Sequence, residues 1–134
     1  MARQVGRTDS ASQARLQLIL VALAAWNLVG YGAGLVDSSL LHVAVDGMLG
    51  GRAVSGASAV LALAYLYAAR SPFRYRFVIW LAAVEQVVAL FSMGFHWMRD
   101  DVTSGDIWLP MLAAAVFLTL LMVNLPRQTD TLRA

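Results

Sequence analysis

The stretch "VIWLAAVEQVVALFSMGFHWM" (Val78–Met98) holds 21 residues and only one carboxylate, Glu85. A helix that crosses a bilayer needs about 20 apolar residues, so this segment predicts a membrane span. In hydrocarbon the backbone has no water to bond, and a helix satisfies its polar groups internally. The fold class follows from asking whether the rest of the chain repeats this pattern.

It does. Leu16–Val36, Ala53–Ala69, Phe77–Met98 and Ile107–Leu125 are four apolar segments of 21, 17, 22 and 19 residues. All fall in the usual range for a spanning helix, about 17–25 residues. The second can extend into "DGMLGG" (Asp46–Gly51) to reach the surface. Charged residues make up 13% of the chain, against about 25% in soluble domains, so a water-facing exterior cannot be assembled from them. The sequence predicts an all-α integral membrane four-helix bundle with antiparallel, up-down connectivity. Its spans cover about residues 16–36, 48–69, 77–98 and 107–125 of a single domain, 15–126, between polar tails at 1–14 and 127–134. The first apolar run exceeds a signal-peptide core of 7–15 residues and reads as an uncleaved span.

Charge sets the orientation. All ten basic residues are arginine. Arg3, Arg7 and Arg15 precede the first span, Arg70, Arg74 and Arg76 lie between the second and third, and Arg127 and Arg133 follow the fourth. Only Arg52 and Arg99 fall on the opposite side, with Asp37, Asp46, Asp100, Asp101 and Asp106. Arginine-rich flanks stay cytoplasmic, which predicts both termini inside and places the protein in the cell (inner) membrane. Contact with anionic lipid headgroups accounts for the arginines. They flank spans in three separate segments, so nucleic acid is not an expected partner.

Connections carry their own signals. Pro72 in "SPFRYR" (Ser71–Arg76) stops the second helix before the third. Pro110 fits an early turn of the fourth helix, where its missing N–H costs little. Trp97 and Trp108 bracket an acidic loop at headgroup level. The apolar content of "DSSLLHVAVDGMLGG" (Asp37–Gly51) predicts a segment lying in the interface. "GYGAG" (Gly30–Gly34) and "GGRAVSGASA" (Gly50–Ala59) predict a tight seam between the first two helices at their outer ends. The fourth span carries no charged side chain, so it is expected to face lipid, a partner membrane protein or a second copy.

Polar residues inside the spans are the candidate chemistry. Glu85 lies 13 residues below Met98, roughly 20 Å at a rise of about 1.5 Å per residue. A charge at that depth costs at least ~2.5 kcal/mol, so the carboxyl is expected to be protonated or paired. Ser92 and His96 continue the Glu85 stripe outward, and Gln86 adjoins it. Asn27 and Tyr31 lie on the first helix, and Arg52 and Ser55 on the second, with Asp46 just before it. Together they predict a polar groove opening outward, with Asn27, Tyr31, Asp46, Arg52, Ser55, Gln86 and Ser92 as ligand-binding residues. Glu85 and His96 are the candidate acid and base. Each has a plain structural reading beside this one. Glu85 can be interhelical glue to Asn27 or a helix carbonyl, His96 an interfacial ring, and Arg52 a snorkelling helix end. Tyr65, Tyr67 and Tyr75 read as inner-interface aromatics.

Absent chemistry narrows the classes. There is no cysteine, which removes disulfides, thiolate catalysis and Cys-based metal sites. His42 and His96 are the only histidines. No HxxxH or HExxH spacing exists, so no metal site is expected. A bis-histidine haem is disfavoured because one ligand would come from a loop. No cofactor is required by the sequence, although a quinone suits an apolar bundle with a few polar groups.

"GGRAVSGASAVLALAYLYAAR" (Gly50–Arg70) opens with Gly-Gly-Arg, continues as a small-residue helix and closes on arginine. With the basic turn and third apolar helix that follow, it resembles the DoxX-like group of small four-helix bacterial membrane proteins. Some members are linked to thiosulfate–quinone redox chemistry. The resemblance implies a four-helix bundle and a lipophilic or quinone-like ligand, and only Arg52 is a functional candidate within the matching stretch. Small multidrug-resistance transporters have a comparable size, but their essential glutamate is in the first helix, where this chain has Asn27. The expected function is a small membrane protein binding a lipophilic ligand as an accessory or binding subunit. The alternatives are an intramembrane acid–base enzyme (isomerase, cyclase or epoxide hydrolase) using Glu85 and His96, and a proton-coupled carrier.

Overall fold

A computed structural model describes residues 2–36, 48–100 and 104–125. Over them the chain is all-α: α1 spans Ala2–Val36, α2 Met48–Ala69, α3 Arg76–Met98 and α4 Ser104–Val123. Among the described residues there is no strand. α1 and α3 each contain a stretch long and apolar enough to cross a membrane, Ser10–Gly30 and Arg76–Met98. The apolar parts of α2 and α4 are shorter, Gly56–Ala69 and Ile107–Val123.

Two boundaries differ from the sequence reading. α1 begins at Ala2, so the polar segment read as a tail continues the helix; no proline interrupts it. α4 begins at Ser104, which puts Pro110 inside the helix rather than in an early turn. The missing N–H at Pro110 removes the bond that would otherwise run to the Asp106 carbonyl. Residues 37–47, with the interfacial segment expected there, His42 and Asp46, lie outside the described residues, as do 101–103.

The core forms where four helix faces meet. Leu16, Leu20 and Leu23 make one stripe of α1 at the spacing of successive turns. Ala62, Tyr65, Ala68 and Ala69 oppose them from α2, Ile79, Ala82 and Ala83 from α3, and Leu121 from α4. Large side chains on α1 meet small ones on α2, so these two helix backbones approach closely where the alanines lie. α1 packs chiefly on α2 and α3 chiefly on α4, while the α2–α3 and α1–α4 seams are thin.

The α1–α2 seam is extensive, and three of the glycines expected to tighten it face open space. A Cβ placed on Gly30, Gly32 or Gly56 would meet no heavy atom within 4 Å. The expectation of glycine-mediated tightness at these three residues is therefore corrected. Among the described side chains of this pair, the buried ones cluster over Leu16–Asn27 and Ala62–Ala69, where leucine–alanine complementarity does the packing.

The α2–α3 turn is short and internally bonded. Ser71 N–H donates to the Ala68 carbonyl at 3.1 Å, Arg74 N–H to the Ser71 carbonyl at 3.0 Å and Val78 N–H to the Tyr75 carbonyl at 2.9 Å. Pro72 is fully buried beneath this turn and ends α2 as expected. At the far end of α3, Arg99 N–H donates to the His96 carbonyl at 3.3 Å, and Asp100 takes φ 56°. A residue in the left-handed region just past a helix end is a common stop, usually filled by glycine.

The exterior is apolar on every helix. Leu18 on α1, Val60 on α2, Phe77 and Phe91 on α3, and Val123 on α4 are each more than 65% exposed.

Candidate functional site

Glu85 sits on α3 facing the thin α2–α3 seam. The Tyr65 hydroxyl on α2 donates to Glu85 Oε2, and Gln86 Nε2 donates to the same oxygen at 3.0 Å. The local geometry explains the first contact. Tyr65 is four residues before the end of α2, and Glu85 nine residues into α3. Those positions differ in depth by roughly 7–8 Å at about 1.5 Å per residue. Helical side chains lean toward their own N-terminus. In two helices joined by this short turn, Tyr65 therefore leans away from the turn and Glu85 toward it, which closes the gap.

The burial pattern is polar inside, apolar around. Tyr65 is fully buried, Gln86 is 4% exposed and Glu85 is half-buried. Among the described residues no buried side-chain oxygen or nitrogen lacks a hydrogen-bond partner. Both donors to Glu85 converge on Oε2. Glu85 Oε1 has no donor among the described residues and is therefore accessible rather than sealed. The arrangement is a carboxyl with one oxygen anchored by two donors and the other left for a further partner.

The other sequence candidates take separate places. Asn27 is buried, but its amide donates to the Leu23 carbonyl of its own helix at 3.2 Å. The glue expected between Asn27 and Glu85 is thus replaced by Tyr65. His96 lies in the last turn of α3, edge-on to Phe95 with ring centroids 5.8 Å apart. Eleven residues separate it from Glu85, roughly 16 Å along the axis, so the two do not exchange a proton directly. Ser92, between them, is exposed. Tyr31 lies within α1, and Arg52 and Ser55 within α2.

Sequence reasoning missed Tyr65 as the key partner by grouping it with Tyr67 and Tyr75 at the interface. Its spacing held the signal: Ala62, Tyr65, Ala68 and Ala69 share one small-residue face, whereas Tyr67 is 54% exposed. Tyr67 and Tyr75 pair with each other instead. Their rings are 5.0 Å apart, and the Tyr75 hydroxyl donates to the Tyr67 hydroxyl at 3.1 Å.

Among the described residues no group of three His, Cys, Asp or Glu side chains can hold a metal. On α4, Ala115, Val116, Thr119 and Leu120 line an open groove of about 250 Å³; the Thr119 hydroxyl is tied to the Ala115 carbonyl at 2.8 Å. No protein-family model, curated protein or solved structure matches this chain.

Proposed function

We propose that the protein is a multi-pass membrane protein, both termini cytoplasmic, whose antiparallel four-helix bundle binds a lipophilic, hydrogen-bonding ligand at Glu85, as an accessory or binding subunit. Membrane placement is supported by the apolar exterior of all four helices together with the two span-length segments. Exposed apolar surface on this scale is not tolerated by a monomer in water. The arginine distribution supports the orientation.

The observation that carries the ligand reading is the asymmetry of the Glu85 carboxyl. Tyr65 and Gln86 fix Oε2, and Oε1 stays accessible beside the thin seam between the two helix pairs. An intramembrane ionisable side chain marks a functional site by default. A carboxyl held this way can accept a hydrogen bond from a hydroxyl, as in a quinol, or when protonated donate one to a carbonyl, as in a quinone. The DoxX-like resemblance of Gly50–Arg70 points to the same ligand class. The α4 groove and its exposed Val116 and Leu120 fit contact with lipid, a partner subunit or a second copy.

Native mass spectrometry in the presence of a short-chain benzoquinone and its quinol tests the reading. Retention of a stoichiometric ligand by the wild type, lost in Glu85→Ala with the fold intact, is the expected result. Equal retention by both proteins would reduce Glu85 to interhelical glue.

A further inference from the structure

The cytoplasmic turn brings together two arginines and two tyrosines that the ligand site does not use. The Arg70 guanidinium carbon lies over the Tyr67 ring at 5.8 Å from its centroid, and that of Arg74 over the Tyr75 ring at 5.8 Å. The two rings are in contact at 5.0 Å, so the four side chains form one continuous cluster across the end of α2 and the start of α3. Among the described residues no carboxylate pairs with Arg70 or Arg74. Both arginines are exposed.

We propose that this cluster is a binding site for the phosphate of an anionic phospholipid, held by Arg70, Arg74 and the Tyr67 hydroxyl. A guanidinium lying over an aromatic face keeps its in-plane N–H donors available for a phosphate fork. Tyr67 contributes a donor of its own. Its oxygen accepts from Tyr75, so its hydrogen is directed elsewhere, and an anion is the matching acceptor. The Tyr67–Tyr75 bond meanwhile fixes the ring platform beneath both cations. A lipid, rather than a soluble phosphate, is indicated by what borders the cluster. Phe77 is 77% exposed and Leu63, one turn above Tyr67 on α2, is 66% exposed, so acyl chains have apolar surface next to the headgroup position. Basic pockets between helices on the cytoplasmic side have the chemistry to take such headgroups.

The inference rests on the membrane placement proposed above, and the two are separable by experiment. Wild-type protein should remain with its membranes through an alkaline wash; release would sink the placement itself. Retained protein is then purified with mixed phosphatidylglycerol and phosphatidylcholine, and bound lipid is counted by native mass spectrometry. The expected result is selective retention of phosphatidylglycerol, lowered about five-fold by Arg70→Gln or Arg74→Gln and roughly 25-fold by both, from the usual worth of one surface arginine. Tyr67→Phe should also weaken retention. Arg15→Gln removes an exposed cytoplasmic charge elsewhere and should have a clearly smaller effect. An equal loss in Arg15→Gln, or no loss in the double variant, would overturn the site in favour of diffuse charge. Displacement by inorganic phosphate at equal concentration would overturn the lipid assignment.

Discussion

Tyr65 on α2 and Glu85 on α3 are joined by a hydrogen bond across the thinnest described seam between consecutive helices. The phenol is fully buried and the carboxyl half-buried. This bond ties one helix pair to the other across that seam.

Tyr65→Phe keeps the ring and removes the donor. Glu85 Oε2 is left with Gln86 alone, and the loss should cost about 1–3 kcal/mol of stability, the usual penalty for stripping a partner from a buried polar group. Glu85→Gln retains an acceptor for Tyr65 and should cost less. Unfolding of both variants in the same detergent ranks them; an equal or reversed ranking would show that the bond does not hold the seam.

The four-helix plan was legible because the length of apolar runs and the placement of prolines act on whole segments. α2, α3 and α4 end within a few residues of where apolar runs and prolines put them. The site was legible only in part. Glu85 and Gln86 stood out because polar groups in an apolar run are rare. Their partner did not, since an aromatic residue four places from a helix end reads equally as an interface anchor. Which face of α2 turns inward is decided by packing against Leu16 and Leu20 of α1, a relationship no single segment encodes. The same applies to Gly30 and Gly56, where small size signalled contact but the close packing formed elsewhere.

Gly94 offers a test of that last point. It lies inside α3, with open space where a methyl group would project. Gly94→Ala gains helix propensity without a clash and should stabilise the protein by about 0.5–1 kcal/mol. A drop in the unfolding midpoint would reveal a neighbour at that face, such as a second copy.

Asp100 adopts φ 56° immediately after α3. A left-handed backbone costs a residue bearing a Cβ roughly 1–2 kcal/mol, which glycine avoids and aspartate tolerates better than most. Asp100→Gly should therefore be more stable than Asp100→Ala by about 1 kcal/mol. Thermal melts of the two variants side by side provide the comparison, and equal midpoints would mean the helix stop relaxes when the side chain changes.

Tyr75 provides a pH-dependent readout outside the helices. Its hydroxyl donates to Tyr67, and this bond, followed by partial desolvation, raises its pKa above the ordinary value of 10.0, while Arg74 and Arg70 pull the other way. The folded state thus holds the proton more tightly than the unfolded chain. The corresponding stability is fully present below pH 10 and is lost as the pH rises through the folded-state value. Ultraviolet titration of tyrosinate, with Tyr75→Phe subtracted to isolate this residue, should place its transition above that of a free phenol side chain. Tyr67→Phe removes the acceptor and should move the transition back down. A Tyr75 transition unchanged by Tyr67→Phe would mean that the hydroxyl pair does not form in solution, and with it would go the rigid platform on which Arg70 and Arg74 are arranged.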